Sequence, residues 1–288
     1  MVRMVLMVRA EIYLCALLAS LLLAACGSAP KVSEPLLRKQ AQEAETDGAR
    51  RYARGDYAGA VRSFSAASQL QQSIDDPAAA ARSHLNQAQA ELALGQAEAA
   101  LNRALRITHP DFAQDALLLQ AQANLALGRL PAAQANLAAA AAACAVNCPR
   151  RASLHLLQAR AALADKRAAD AATHAEAALK LLQDKDEAAE TGNAWRLMAT
   201  ARLASGDAAS ALPAARSALD IDRKLALPEK IARDWLLIGD IQKKLGAGDT
   251  ANAYQRALDV ANAAGLADIA RLASQVLTES RIATEPIR

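Results

Sequence analysis

Leu92–Leu105 reads LALGQAEAALNRAL, and Leu125–Ala138 reads LALGRLPAAQANLA: one pattern stated twice, 33 residues apart. The glycine in each copy serves as a ruler. Gly95 is followed at offsets five, nine and twelve by Ala100, Ala104 and Ile107, and Gly128 by Ala133, Leu137 and Ala140. The same offsets from Gly55 give Ala60, Phe64 and Ala67, and from Gly206 they give Ala211, Ala215 and Ala218. Residues so spaced share one face of an α-helix. Lys166 stands in the glycine's place in a further copy, leading to Ala171, Ala175 and Ala178, and the copy after Gly246 slips by one to Thr250, Tyr254 and Ala257. A second helical pattern precedes each glycine and twice begins with tryptophan, at Trp195 and Trp235. Alanine is dense, aromatic residues are 3% of the chain, and no stretch alternates apolar and polar residues over a strand's length. Such a composition favours helices throughout, so the fold class is all-α.

A large residue three before an apolar one, a small residue next, then Gly55-Asp56-Tyr57 with Ala60, Phe64 and Ala67, resembles the tetratricopeptide repeat; Trp235, Ile238 and Gly239 carry the same resemblance. It implies a right-handed superhelical solenoid of antiparallel helix pairs, about six repeats over residues 36–262. A capping helix and tail over 263–288 follow, with Leu266–Ser280 as the amphipathic part. Such arrays need a polar-backed terminal helix, because each pair buries its apolar face only against neighbours. Counting Lys166, successive turn residues are 40, 33, 38, 40 and 40 apart. Against a usual repeat of about 34, either the helices are longer or the connections are extended. Glycine at the turn ends the first helix in a left-handed cap, and Asp56 and Asp207 cap the second. Trp195 and Trp235 are expected to wedge against neighbouring helices. Pro77, Pro110, Pro149 and Pro228 fall between repeats, where proline suits a first turn, whereas Pro213 falls inside a helix and should kink it.

The N-terminus reads differently. Arg3 and Arg9 precede a nearly unbroken apolar run, Ile12–Ala25. Its fourteen residues rise only about 21 Å as a helix, short of a hydrocarbon core of about 30 Å, which suits a signal peptide over residues 1–25. The run closes in Leu23-Ala24-Ala25-Cys26, which resembles the lipobox of bacterial lipoproteins. That resemblance implies lipidation of Cys26, an anchor of two or three acyl chains and a short tether over 26–35. Gly27, where an aspartate would favour the inner membrane, implies the outer membrane, with the solenoid facing the periplasm.

Taking Arg3, Arg9 and Glu11 from 33 basic and 30 acidic residues leaves 31 and 29. So balanced a chain makes no electrostatic case for nucleic acid. Catalytic signatures are also missing: no zinc-protease spacing, no Gly-x-Ser-x-Gly and no Walker loop occurs. Cys144 and Cys148 are expected to form a disulfide in an oxidising compartment; zinc would need two further ligands, of which only His155 is near in sequence. His84 and His155 occupy the slot of Trp195 and Trp235 and are expected to pack, while His174 is assigned to an exposed helix face. Neither a cofactor, a metal, nor a small-molecule substrate is implied.

In tetratricopeptide arrays the first helix of each pair lines a concave groove. Projected here, the groove pairs are Arg82 with Gln89, Asp115 with Gln122, Ser153 with Arg160, Asn193 with Thr200, and Arg233 with Asp240. Leu85, Leu118, Leu156 and Leu236 would form its floor, and Arg82 with Asn86 could hold a carboxylate. The mixed charge suits an extended peptide or a partner helix. The expectation is a protein-interaction scaffold for an envelope assembly: secretion, pilus or secretin biogenesis, or cell-wall machinery. The alternatives are a regulatory or tethering subunit of an envelope enzyme complex, such as a peptidoglycan hydrolase or protease adaptor, and an enzyme without local signature.

Overall fold

The structure, a computed structural model, describes residues 35–144, 148–246 and 249–284, with side chains to Glu279. The signal peptide, Cys26 and nearly all of the tether lie outside the described residues. Among the described residues there is no strand, and no helix is long and apolar enough to cross a membrane. Thirteen α-helices follow in order: α1 Leu36–Ala53, α2 Tyr57–Ser73, α3 Pro77–Ala93, α4 Ala97–Ala104, α5 Ala113–Ala126, α6 Leu130–Ala142, α7 Arg151–Ala164, α8 Ala168–Leu182, α9 Ala188–Ala204, α10 Ala208–Lys224, α11 Pro228–Leu245, α12 Thr250–Ala263 and α13 Ala267–Thr284. They form six pairs and a terminal helix.

The offsets counted from each turn describe the core. All fifteen residues at five, nine and twelve after Gly55, Gly95, Gly128, Lys166 and Gly206 are buried, most of them completely. Because nearly all are alanines, the helices of a pair approach closely, and each alanine loses little side-chain entropy on burial. The sixth copy corrects the expected slip. Asp249 caps α12, so Ala253 and Ala257 take the places of Ala211 and Ala215, and Thr250 stands at the first helical position, half-exposed. Helix starts are set by the same chemistry at four places: Asp56, Asp76, Asp207 and Asp249 each accept the amide three residues on, at 2.9–3.1 Å. At the turns, Lys166 adopts φ 58° where Gly206 has 87°, so it does occupy a glycine's left-handed position.

Most of the departure from a 34-residue period lies in the helices. Six of them run 17 or 18 residues within the repeats, and the single short spacing coincides with the eight-residue α4. Connections lengthen as well, to five residues between α8 and α9 and to eight between α4 and α5 and, in the 38-residue step, between α6 and α7. There Cys144 and Cys148 are joined, with Cα atoms 5.2 Å apart, and the Gln114 amide reaches Cys148 Sγ at 3.0 Å and the Ala140 carbonyl at 3.3 Å. The helix α10 continues across Pro213, which lacks the N–H that would reach Ala209. Pro77 and Pro228 open α3 and α11.

The pairs stack asymmetrically. Each odd-numbered helix touches the next odd-numbered one, α1 to α3 and so on to α13, while no two even-numbered helices touch among the described residues. A double layer in which only one layer closes on itself must curve toward that layer. The odd-numbered helices therefore line the concave face, and α13 covers the last seam with Ile269, Ala273 and Leu277.

Candidate functional site

The ten polar residues assigned to the groove all stand on the inner helices. Arg82, Gln89, Arg160, Arg233 and Asp240 are exposed; Asp115, Gln122, Ser153, Asn193 and Thr200 are half-buried. Several are tied to neighbours. Arg150 holds Asp115 at 2.7 Å, the Tyr254 hydroxyl donates to Asp240 at 2.8 Å, and Arg233 pairs with Glu229 at 3.0 Å. Thr200 donates to the Arg196 carbonyl, and Asn193 accepts from the Arg196 guanidinium at 3.1 Å. Arg160 makes no hydrogen bond or ion pair among the described residues.

Three expectations need correcting. Leu85, Leu118 and Leu156 do not floor an open groove: they are buried between helices, because that helical position faces the next seam. Asn86 is not free to hold an outside carboxylate, since it already donates to Glu45 at 2.5 Å. His174 does not lie on a free surface: its ring sits against His155, Nδ1 to Nδ1 3.2 Å. Burial lowers the pKa of both histidines, and His174 lowers that of His155 further. His84 is packed as its slot suggests, with Nδ1 buried and unpartnered, and burial lowers its pKa too. Trp195 and Trp235 lie half-buried against the largest apolar cluster, and Trp235 is flanked by the Arg223 and Arg256 guanidinium groups at 5.1 and 5.0 Å.

A charged cluster that the sequence reading missed lies where α9, α10 and α11 meet. Arg196 is the hub. Its Nε donates to Asp234 Oδ1 at 2.6 Å, and its Nη2 donates to Asp222 Oδ2 and, at 3.3 Å, to Asp234 Oδ2. Both aspartates are completely buried. Burial pushes Asp234 up to about 7; Arg196 opposes that shift and the Asp222 carboxylate adds to it. One guanidinium between two buried carboxylates leaves the cluster short of positive charge. Gly192 makes room for it, because a Cβ there would stand 3.1 Å from Asp222 Oδ1.

No group of three or more histidine, cysteine, aspartate or glutamate side chains is placed to hold a metal ion among the described residues. The arrangement offers a curved surface of separated polar groups over tightly packed seams, suited to binding an extended surface.

No family model matches the sequence, and no curated protein matches it. Among solved structures, the chain is similar to the apo form of RapI, with TM-score 0.57 and 15% identity over 80% of this chain and 67% of that one. BtubC from P. vanneervenii gives TM-score 0.45 and 18% identity over 88% of this chain and 96% of that one. The TPR2AB domain of yeast Sti1, in its pHSP90 complex, gives 0.39 and 12% over 84% and 99%. At these identities the RapI likeness speaks to fold alone, and the two lower scores carry no argument. What stands is the architecture: an all-helical array of stacked pairs of the tetratricopeptide-repeat type.

Proposed function

We propose that this chain is a non-enzymatic interaction scaffold. Through lipid on Cys26 it is held at the outer membrane, and it presents its inner helices to protein partners of an envelope assembly in the periplasm. The supporting observation is the one-sided closure of the inner layer, which leaves a continuous curved face carrying polar side chains. An extended peptide or a partner helix laid along that face would meet residues from five successive inner helices. Secretion, pilus or secretin biogenesis and cell-wall machinery are the assemblies that suit the location.

Two measurements test this reading. Cys26→Ser should abolish lipid labelling and release the protein from membranes; unchanged fractionation with an unlabelled parent removes the anchor. A photo-crosslinking residue at Gln89 or Gln122 on the inner face should capture a discrete envelope protein in cells. The same residue at Arg216, exposed on α10, should not. Capture from Arg216 alone would move recognition to the outer layer.

A further inference from the structure

The inner face carries a diagonal of positive charge. Arg160 stands six residues before the turn residue Lys166, Arg196 ten before Gly206, and Arg233 thirteen before Gly246. Each successive arginine is thus one helical turn earlier on the next inner helix, across α7, α9 and α11, which touch in that order. Lys230 stands one further turn back on α11. The four cations differ in what neutralises them. Arg196 is consumed by Asp222 and Asp234, and Arg233 by Glu229. Arg160 and half-buried Lys230 have no hydrogen bond or ion pair among the described residues.

Arg160 is open to water and yet surrounded by protein, as a side chain on the wall of a concavity must be. Burial lowers its pKa, and Arg196 and Arg233 lower it further. Burial lowers that of Lys230 as well, against favourable fields from Asp222 and Glu190, and Arg196 and Arg160 add to the lowering. Neither cation has a bonded counter-ion, so their mutual repulsion is only partly offset, and an incoming anion relieves what remains.

The geometry points to an acidic peptide segment as the occupant of the inner face between α7 and α11, its carboxylates taken by Arg160 and Lys230. This rests on the scaffold reading and specifies the partner's chemistry. A peptide is favoured over a continuous polyanion because Glu190, Glu229 and Asp240 flank the diagonal. A nucleic-acid strand brings a charge about every 3.4 Å and would be repelled there, whereas a peptide can place carboxylates only where they are met.

The test uses the full-length chain and two fluorescent twelve-residue peptides with amidated C-termini, one of repeated Glu-Ala-Ala-Glu and one with glutamine for glutamate. The glutamate peptide should bind at least about tenfold tighter, a difference of about 1.4 kcal/mol, and its advantage should shrink as salt rises. Arg160→Gln with Lys230→Gln should remove that advantage, leave glutamine-peptide binding and the melting temperature unchanged, and differ from Arg216→Gln, which should have no effect. Equal binding of the two peptides, or no binding of the glutamate peptide, overturns the acidic segment while leaving the inner face open to a neutral one. Glutamate-peptide binding that survives the double variant and falls with Arg216→Gln overturns both this inference and the concave surface. A single-stranded oligothymidylate that binds as tightly as the glutamate peptide, and is lost in the same double variant, overturns the peptide in favour of nucleic acid.

Discussion

The seam between the first two repeats and the seam between the last two use the same three positions with inverted charge. Counting ten back from the turn on one inner helix, fifteen on from the following cap residue, and twelve back from the next turn gives Glu45, Gln71 and Ser83 at one end. At the other it gives Arg196, Asp222 and Asp234. In the first set Ser83 lies 2.5 Å from Glu45 Oε2 and 2.7 Å from Gln71 Oε1, with Asn86 completing the Glu45 carboxylate. Of the three seams between them, two hold Leu118, Cys144 and Leu154, and Leu156, Leu182 and Ala194, all within apolar clusters; the other packs Leu85 and Ala116, while its third position falls beyond the short α4 at exposed Asp111. One geometry therefore accepts three solutions: an acid satisfied by neutral donors, a guanidinium between two acids, and plain aliphatic packing. Repeats constrain the shape of a seam far more than its chemistry.

The largest expected effect breaks the charged seam. Arg196→Met removes the cation bonded to both buried carboxylates, and should cost about 3–5 kcal/mol in denaturant unfolding. Glu45→Gln leaves neutral donors facing a neutral acceptor and should cost about 1 kcal/mol. Equal losses would mean that burial, not charge, separates the seams. A second experiment transplants the middle solution: Arg196→Leu, Asp222→Leu and Asp234→Ala together. Buried ion clusters replaced by apolar residues are often neutral or more stable by about 1–4 kcal/mol. A folded, equally stable triple variant would show that the cluster is not needed for strength. A large loss would show that the leucines cannot fill this seam as Leu156 and Leu182 fill theirs.

The alanine face, the turn residues and the six pairs were legible because each depends on spacing within one or two helices. The seams were less so. Singly, Arg196, Asp222 and Asp234 look like charges on the wet side of three amphipathic helices, and their burial follows only from three helices meeting. The glycine ruler, carried into the inner helices, aligns them with Leu156, Leu182 and Ala194 and was the signal available. His174 was misplaced for the same reason, since its contact is with the other helix of its pair. Asp76 and Asp249 were plain cap candidates. For the groove, the tetratricopeptide resemblance indicated which helices line the inner face, but the partners that occupy Asp115, Asp240 and Arg233 lie on neighbouring turns and helices.

The charged end seam should also depend on pH. Asp234 is raised, so the folded chain keeps a proton that the unfolded chain has released above about pH 4. Its contribution is therefore full at low pH and is lost as pH rises toward 7. The lowered histidines, His84, His155 and His174, act oppositely: the unfolded chain takes up protons more readily below about pH 6.5, so stability falls there. Asp234→Asn removes only the first dependence. Its unfolding midpoint should gain on the wild type as pH rises from about 4.5 to 7. A constant offset for Asp234→Asn would place that carboxyl's titration outside the range.

The smallest expected effect tests the ruler on which the comparison rests. Aligning Leu156, Leu182 and Leu154 with the end seams assumes that Lys166 is a turn residue equivalent to Gly206. Lys166 holds φ 58°, a conformation that costs a side chain with a Cβ roughly 1 kcal/mol or more and costs glycine almost nothing. Lys166→Gly should therefore stabilise the fold, by about 0.5–1 kcal/mol after the extra freedom that glycine gives the unfolded chain. Gly206→Ala should lose a similar amount: its added Cβ meets nothing within 4 Å, so the loss would be purely conformational. The paired signs matter more than either size. If Lys166→Gly instead costs about 1 kcal/mol, as glycine does in a helix interior, then α7 continues through this residue. The fourth repeat then has no turn there, and the middle seams cannot be aligned with the charged ones.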